Sequence, residues 1–94
     1  MEKVVIELLH LRGCPDCAEM IEMVKEIIED LRDLSDKIEL KLLDIFENNQ
    51  RVVELGMYKC PALAVNGTLQ YVGAVPMKNE LKSLILFELS KVSG

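Results

Sequence analysis

The chain has 94 residues, half of them apolar, with 16 acidic residues against 11 basic ones and a formal net charge of -5. That is enough chain for one small core and too little for two, so residues 1–94 read as a single domain. The acidic balance argues against nucleic acid as a partner, because its binders gather Lys and Arg on one face, and no apolar stretch approaches membrane-spanning length.

Met1-Glu2-Lys3 lacks the basic head and small-residue cleavage site of a secretory signal, so a cytoplasmic protein is expected. Val4 to Leu11 is an apolar run broken only by Glu7 and His10, which suits a strand covered on both faces of a mostly parallel sheet. After Arg12-Gly13, Pro15 stands at a first helical position, where its missing N–H costs nothing. Met20, Val24, Ile27, Ile28 and Leu31 then form one apolar stripe, with Glu22, Glu26 and Glu29 on the solvated face. Lys37 to Leu43 alternates, with Ile38, Leu40 and Leu42 on one side, and reads as a second strand. Asp44 and Glu47 form a capping-box pattern that predicts a short helix closed by Gly56. Ala62–Val65 and Thr68–Val72 flank Asn66-Gly67 and predict a hairpin. A last helix starts from Pro76, carrying Leu81, Leu84, Ile85 and Leu89 on one face.

The predicted order is β-α-β-α-β-β-α. The first crossover requires parallel strands and the hairpin adds antiparallel ones. The expected architecture is α/β, a four-stranded mixed sheet with helices on both faces.

Chemistry concentrates at Cys14-Pro15-Asp16-Cys17, two thiols at helical spacing where a helix begins after an apolar strand. A helix N-terminus offers unpaired N–H groups and the positive end of a macrodipole, which favour a thiolate at Cys14. Cys17 points back under the helix. A bridge between them closes four residues and removes only about 2 kcal/mol of unfolded-state entropy, so it is a weak staple. Lowering the Cys14 pKa from about 8.5 to about 7 raises its thiolate fraction at neutral pH about fifteenfold. The accompanying loss of nucleophilicity takes back about fivefold, so the main effect is on leaving-group ability and redox poise. Arg12 favours the thiolate electrostatically, and the Asp16 carboxylate opposes it.

The element order, the CxxC after strand one and the proline before strand three resemble the thioredoxin fold over essentially the whole chain. The small archaeal and bacterial thioredoxin-like proteins, also called redox-active disulfide proteins, are similar in three segments. These are Gly13-Cys14-Pro15-Asp16-Cys17, Cys60-Pro61-Ala62-Leu63-Ala64-Val65-Asn66-Gly67 and Val72-Gly73-Ala74-Val75-Pro76. The resemblance implies a thioredoxin/glutaredoxin-like thiol–disulfide oxidoreductase with Cys14 as nucleophile and Cys17 as resolving thiol. It also implies a cis Pro61 facing them, with Cys60, Pro61 and Gly73 forming the substrate-binding side. No cofactor is implied. The partners would be a protein disulfide and an upstream reductase, and a monomer is expected. Three departures stand out. The tryptophan that precedes the motif in thioredoxins is Gly13, the glutaredoxin tyrosine between the cysteines is Asp16, and the buried carboxylate that thioredoxins keep behind the resolving cysteine has no clear counterpart, Glu7 being the only acidic residue inside strand one.

Two other classes fit the same residues. Cys14, Cys17 and Cys60, with His10 as a fourth ligand, form a donor set suited to zinc or an iron–sulfur cluster. An interaction module with incidental cysteines is the third reading. Met20, Met23, Met57 and Met77 are expected to fill core gaps or line the apolar rim of the site, and Tyr58 and Tyr71 to be half-buried.

Overall fold

A central strand, Val4–Leu9 (β1), has a parallel neighbour on one side and an antiparallel one on the other. The computed structural model describes residues 3–92; Met1 and Glu2, part of the segment read for a signal, lie outside them. After β1 come Pro15–Asp30 (α1), a 3-10 segment at Arg32–Lys37, Ile38–Leu43 (β2) and Asn49–Leu55 (α2). Ala62–Val65 (β3), Thr68–Val72 (β4) and Lys78–Leu89 (α3) complete the chain. The strand order is β2-β1-β3-β4, with β1 and β2 parallel and both β1/β3 and β3/β4 antiparallel.

Strand alternation divides the core in two. Val4, Ile6 and Leu8 of β1, with Leu63 and Val65 of β3, face α1 and α3 and pack on Met20, Val24, Ile27, Leu81 and Ile85. Leu9, Leu43, Ala62 and Ala64 turn to the opposite face and pack on Val52 and Leu55 of α2. The stripe anticipated on α1 is buried at Met20, Val24 and Ile27, with Ile28 and Leu31 at its margin. Ion pairs from Lys78 to Glu26 and Asp30, and from Lys82 to Asp30, join the start of α3 to α1.

Some boundaries differ from those predicted. The first strand ends at Leu9 rather than Leu11, because Leu11 begins the turn leading to Cys14. In β2, Leu42 is 47% exposed: the strand lies at the sheet edge, and its apolar face is covered at Ile38, partly at Leu40 and least at Leu42. The segment after Asp44 is a turn before it is a helix. Asp44 Oδ1 accepts the N–H groups of Phe46 and Glu47, but the reciprocal bond to Asp44 N–H goes to Asn48 Oδ1 and not to Glu47. The helix α2 therefore starts at Asn49, and Gly56 closes it as expected. The last helix begins at Lys78, two residues beyond Pro76.

The hairpin turn is Asn66-Gly67, with φ of 51° and 82°, as a two-residue connection between twisted strands requires. Asn66 also ties the turn to the rest of the fold: its Oδ1 accepts Val5 N–H, and its Nδ2 donates to Glu88 of α3.

Candidate functional site

At the end of β1 the chain reverses through Leu11 to Cys14, closed by a Cys14 N–H to Leu11 carbonyl bond of 3.2 Å. Gly13 takes φ of +81° in this turn, a conformation a side chain disfavours. Cys14 emerges as the N-cap of α1 with extended backbone, followed by Pro15. Its Sγ takes the place of the usual capping oxygen and accepts the Cys17 N–H at 3.3 Å. The helix start thus aims backbone N–H groups at a sulfur, which is the local cause of thiolate stability there.

The two thiols of the motif are driven apart. Hydrogen bonds from the Cys17 thiol and the Cys17 N–H hold the Cys14 pKa below its ordinary value, against a desolvation cost, with help from the Cys60 thiol and the Asp16 N–H. The side chains of Arg12 and Asp16, weighed as opposing charges in the sequence, give way to this hydrogen bonding. Cys17 is 0% exposed, and burial, followed by its bond to Cys14, pushes its thiol up to about 12. Cys14 is partly exposed, so the accessible sulfur is also the acidic one.

The Cys60–Pro61 peptide is cis, and it brings Cys60 Sγ to 3.8 Å from Cys14 Sγ. All three sulfurs lie within 4.8 Å of one another. The ring of Pro61 is buried, and its carbonyl accepts Gly73 N–H at 2.8 Å. Gly73, at φ +74°, passes over Lys59, whose Cδ would lie 3.1 Å from an added Cβ. Cys14, Cys17, Cys60, Pro61 and Gly73 are thus assembled at one end of the sheet. His10 does not join the sulfur group; its backbone N–H donates to the Leu43 carbonyl at the end of β2.

A groove of about 520 Å³ opens from Cys60 and Gly73 across Leu11, Ile45, Val53 and Met57. Tyr58, expected to be half-buried, borders this groove 76% exposed, just beyond the end of α2. Met77 is exposed as well, whereas Met20 and Met57 are buried.

The sequence reading did not find the partner of Glu7. This buried carboxylate receives Nε and Nη2 of Arg51 at 2.7 and 2.8 Å, a forked ion pair between β1 and α2 that holds its pKa below the usual carboxylate value. The groups acting on the Cys17 thiol are Cys14, Leu11 and Cys60, so Glu7 is engaged with α2 rather than with the resolving cysteine.

Residues 4–86 match a family model described as a thioredoxin domain. A thioredoxin of Methanocaldococcus jannaschii is 32% identical over 85 residues, covering 90% of this chain and 95% of that one. A probable thioredoxin of Methanothermobacter thermautotrophicus is 37% identical over 54 residues, which is 57% of this chain and 62% of that one. Among solved structures, a protein disulfide oxidoreductase from Aeropyrum pernix superposes with a TM-score of 0.79 at 20% identity, covering 95% of this chain and 38% of that one. A mutant thioredoxin from Halobacterium salinarum gives 0.65 at 21% identity, covering 99% and 80%. The structural likenesses establish the fold. With most of its length matched by the family model and by a full-length relative, this chain belongs to the thioredoxin domain family.

Proposed function

We propose that the chain is a thiol–disulfide oxidoreductase acting on protein disulfides, with Cys14 as nucleophile and Cys17 as resolving thiol. The observation that carries this reading is the pairing of an accessible Cys14 sulfur, capped by the Cys17 N–H at 3.3 Å, with a fully buried Cys17 thiol beneath it. Cys14 thiolate attacks a sulfur of the target, the target disulfide breaks, and a mixed disulfide forms while the other target sulfur leaves as a thiolate. Cys17 then attacks Cys14 Sγ, closing the Cys14–Cys17 bridge and releasing the second target thiolate. Two electrons pass to the target, and an upstream reductase must return them.

The substrate side is assigned to Cys60, Pro61 and Gly73. Because the Pro61 carbonyl is held by Gly73, backbone pairing with a target falls to Cys60, and the apolar groove beside it accommodates target side chains. Residues 1–94 are taken as one thioredoxin-like domain, a reading supported by the two core clusters sharing one sheet. We take it to act in the cytoplasm as a monomer without a cofactor; among the described residues no helix is long and apolar enough to cross a membrane. The test is reduction of a model protein disulfide by reduced protein freed of metal. Wild type is expected to reduce it and Cys14→Ser to lose the activity; turnover at the wild-type rate in Cys14→Ser overturns the assignment.

One observation favours a second reading, a metal site at Cys14, Cys17 and Cys60. Zinc–thiolate bonds of about 2.3 Å in a tetrahedron place sulfurs about 3.8 Å apart, which the Cys14–Cys60 separation of 3.8 Å matches. The soft donors suit zinc or an iron–sulfur cluster. Among the described residues the group holds three donors, leaving a fourth position for water or an outside ligand. Stoichiometric metal in protein purified without chelator, lost in Cys60→Ser, would select this reading. Metal-free protein with full activity rejects it.

A further inference from the structure

We propose that Cys60 is a second resolving thiol: it releases the target from Cys14 by forming a Cys14–Cys60 disulfide, which Cys17 then converts to the Cys14–Cys17 bridge. The inference rests on the reading of Cys14 as the nucleophile and adds a third member to the exchange.

Cys60 Sγ stands 3.8 Å from Cys14 Sγ, and both residues are partly exposed. Reaching a disulfide length of about 2.0 Å asks for an approach of about 1.8 Å between two accessible sulfurs. Cys60 also lines the apolar groove, so its thiol borders the space a target leaves through. Cys17 is sealed beneath the helix start.

Resolution needs a thiolate, and burial pushes the Cys17 thiol up, so little of it is ionised at neutral pH. Its greater intrinsic nucleophilicity recovers only about half of that loss on a logarithmic scale. The first cause of the Cys17 shift is burial, which persists when Cys14 is tied up in a mixed disulfide. A third thiol at the mouth of the site gives the intermediate a route that does not wait for ionisation in the core.

The steps balance. Cys60 thiolate attacks Cys14 Sγ of the mixed disulfide; the Cys14–Cys60 bond forms, the Cys14–target bond breaks, and the target leaves as a thiolate that takes a proton from solvent. Counted from the first attack, the target disulfide gains two electrons and the Cys14/Cys60 pair loses two. Cys17, having given up its proton, next attacks Cys14 Sγ; Cys60 departs and takes a proton, with no net redox change.

Trypsin makes the alternatives readable, since cleavage at Arg12, Lys25, Lys59 and Lys78 puts Cys14 and Cys17 on one peptide and Cys60 on another. Reduced protein is mixed with excess hydroxyethyl disulfide, quenched with acid at successive times and mapped without reduction. In Cys17→Ser, the hydroxyethyl adduct on Cys14 is expected to give way to a cross-link between the two peptides. In Cys17→Ser/Cys60→Ser the adduct should persist at least about tenfold longer, because no internal thiol remains to displace it. Equal persistence in both variants, without a cross-link, overturns the proposal. Wild type gives an independent reading that does not depend on the folding of Cys17→Ser. There the cross-link should precede the bridge internal to the Cys14/Cys17 peptide, and an internal bridge from the first time point, with no cross-link before it, overturns the proposal. Failure of the underlying reading looks different: Cys14 carries no adduct in any of these proteins, and Cys14→Ser consumes the disulfide as fast as wild type.

Discussion

Cys14 and Cys17 stand three residues apart, yet one turn of helix sends their acidities in opposite directions. The N-cap position gives Cys14 the Cys17 N–H, and the neighbouring thiols donate to it as well, while burial denies Cys17 any comparable support. Alkylation by iodoacetamide reports the thiolate, so in the reduced protein the Cys14 rate is expected to reach half its maximum below the ordinary thiol range of about 8.5 to 9. Cys17 should stay unmodified across the same range. Peptide mass spectrometry at a series of pH values measures both, and a Cys14 midpoint at or above pH 9 contradicts the hydrogen-bonding account. Replacing Cys60 with Ala removes one of the donors, so its midpoint should lie above that of the wild type while remaining below 9.

At the scale of elements, the short helix α2 is anchored to the sheet by the Arg51 fork on Glu7 as well as by Val52 and Leu55. Glu7 is 4% exposed, so removing Arg51 leaves a carboxylate with no partner in the core. Arg51→Met is expected to destabilise, by less than breaking a fully buried pair costs, because Arg51 is itself 42% exposed and water can reach the gap. The double variant Glu7→Leu/Arg51→Met should recover much of that loss, and urea unfolding of the three proteins decides it. Equal losses in the single and double variants would show that the pair anchors α2 by more than charge compensation. The depressed Glu7 pKa also fixes a sign: its contribution is full above the unfolded carboxylate value near 4.5 and is lost as pH falls through the lower folded value. This pairing was not legible in the sequence, because 44 residues separate Glu7 from Arg51 and no periodicity links them. The element order, the Asn66-Gly67 turn and the α1 stripe were legible because each rests on local chemistry. The start of α2 and the exposure of Leu42 were not. Asn48 outcompetes Glu47 for the Asp44 N–H, and alternation along β2 marks a face without telling what covers it. Cys14, Cys17 and Pro61 could be named from their motifs and Cys60 read as a thiol within reach of the pair, whereas its separation of 3.8 Å depends on how β3 enters the sheet.

For the whole molecule, these shifts make the relative stability of the two redox forms depend on pH, because the oxidised form has no free thiol at either position. In the reduced form the lowered Cys14 pKa contributes stability that is present above the unfolded value and lost as pH falls through the folded one. The raised Cys17 pKa acts at the other end. The fold holds that thiol neutral, an advantage complete below the unfolded value and lost as pH rises towards about 12. The remaining titrating groups, including the Glu7–Arg51 pair and Tyr71, are common to both forms and largely cancel in the difference. The stability of the reduced form minus that of the Cys14–Cys17 bridged form should therefore climb as pH approaches about 9 and fall beyond it, giving a maximum near the ordinary thiol pKa. The bridge adds a constant of only about 2 kcal/mol, since it closes a four-residue loop. Denaturant unfolding of both forms in a Cys60→Ala background, where no third thiol can rearrange the bridge, measures the curve. A difference that changes in one direction only between about pH 7 and pH 11 would mean that the two sulfurs are not pulled apart as the helix start requires.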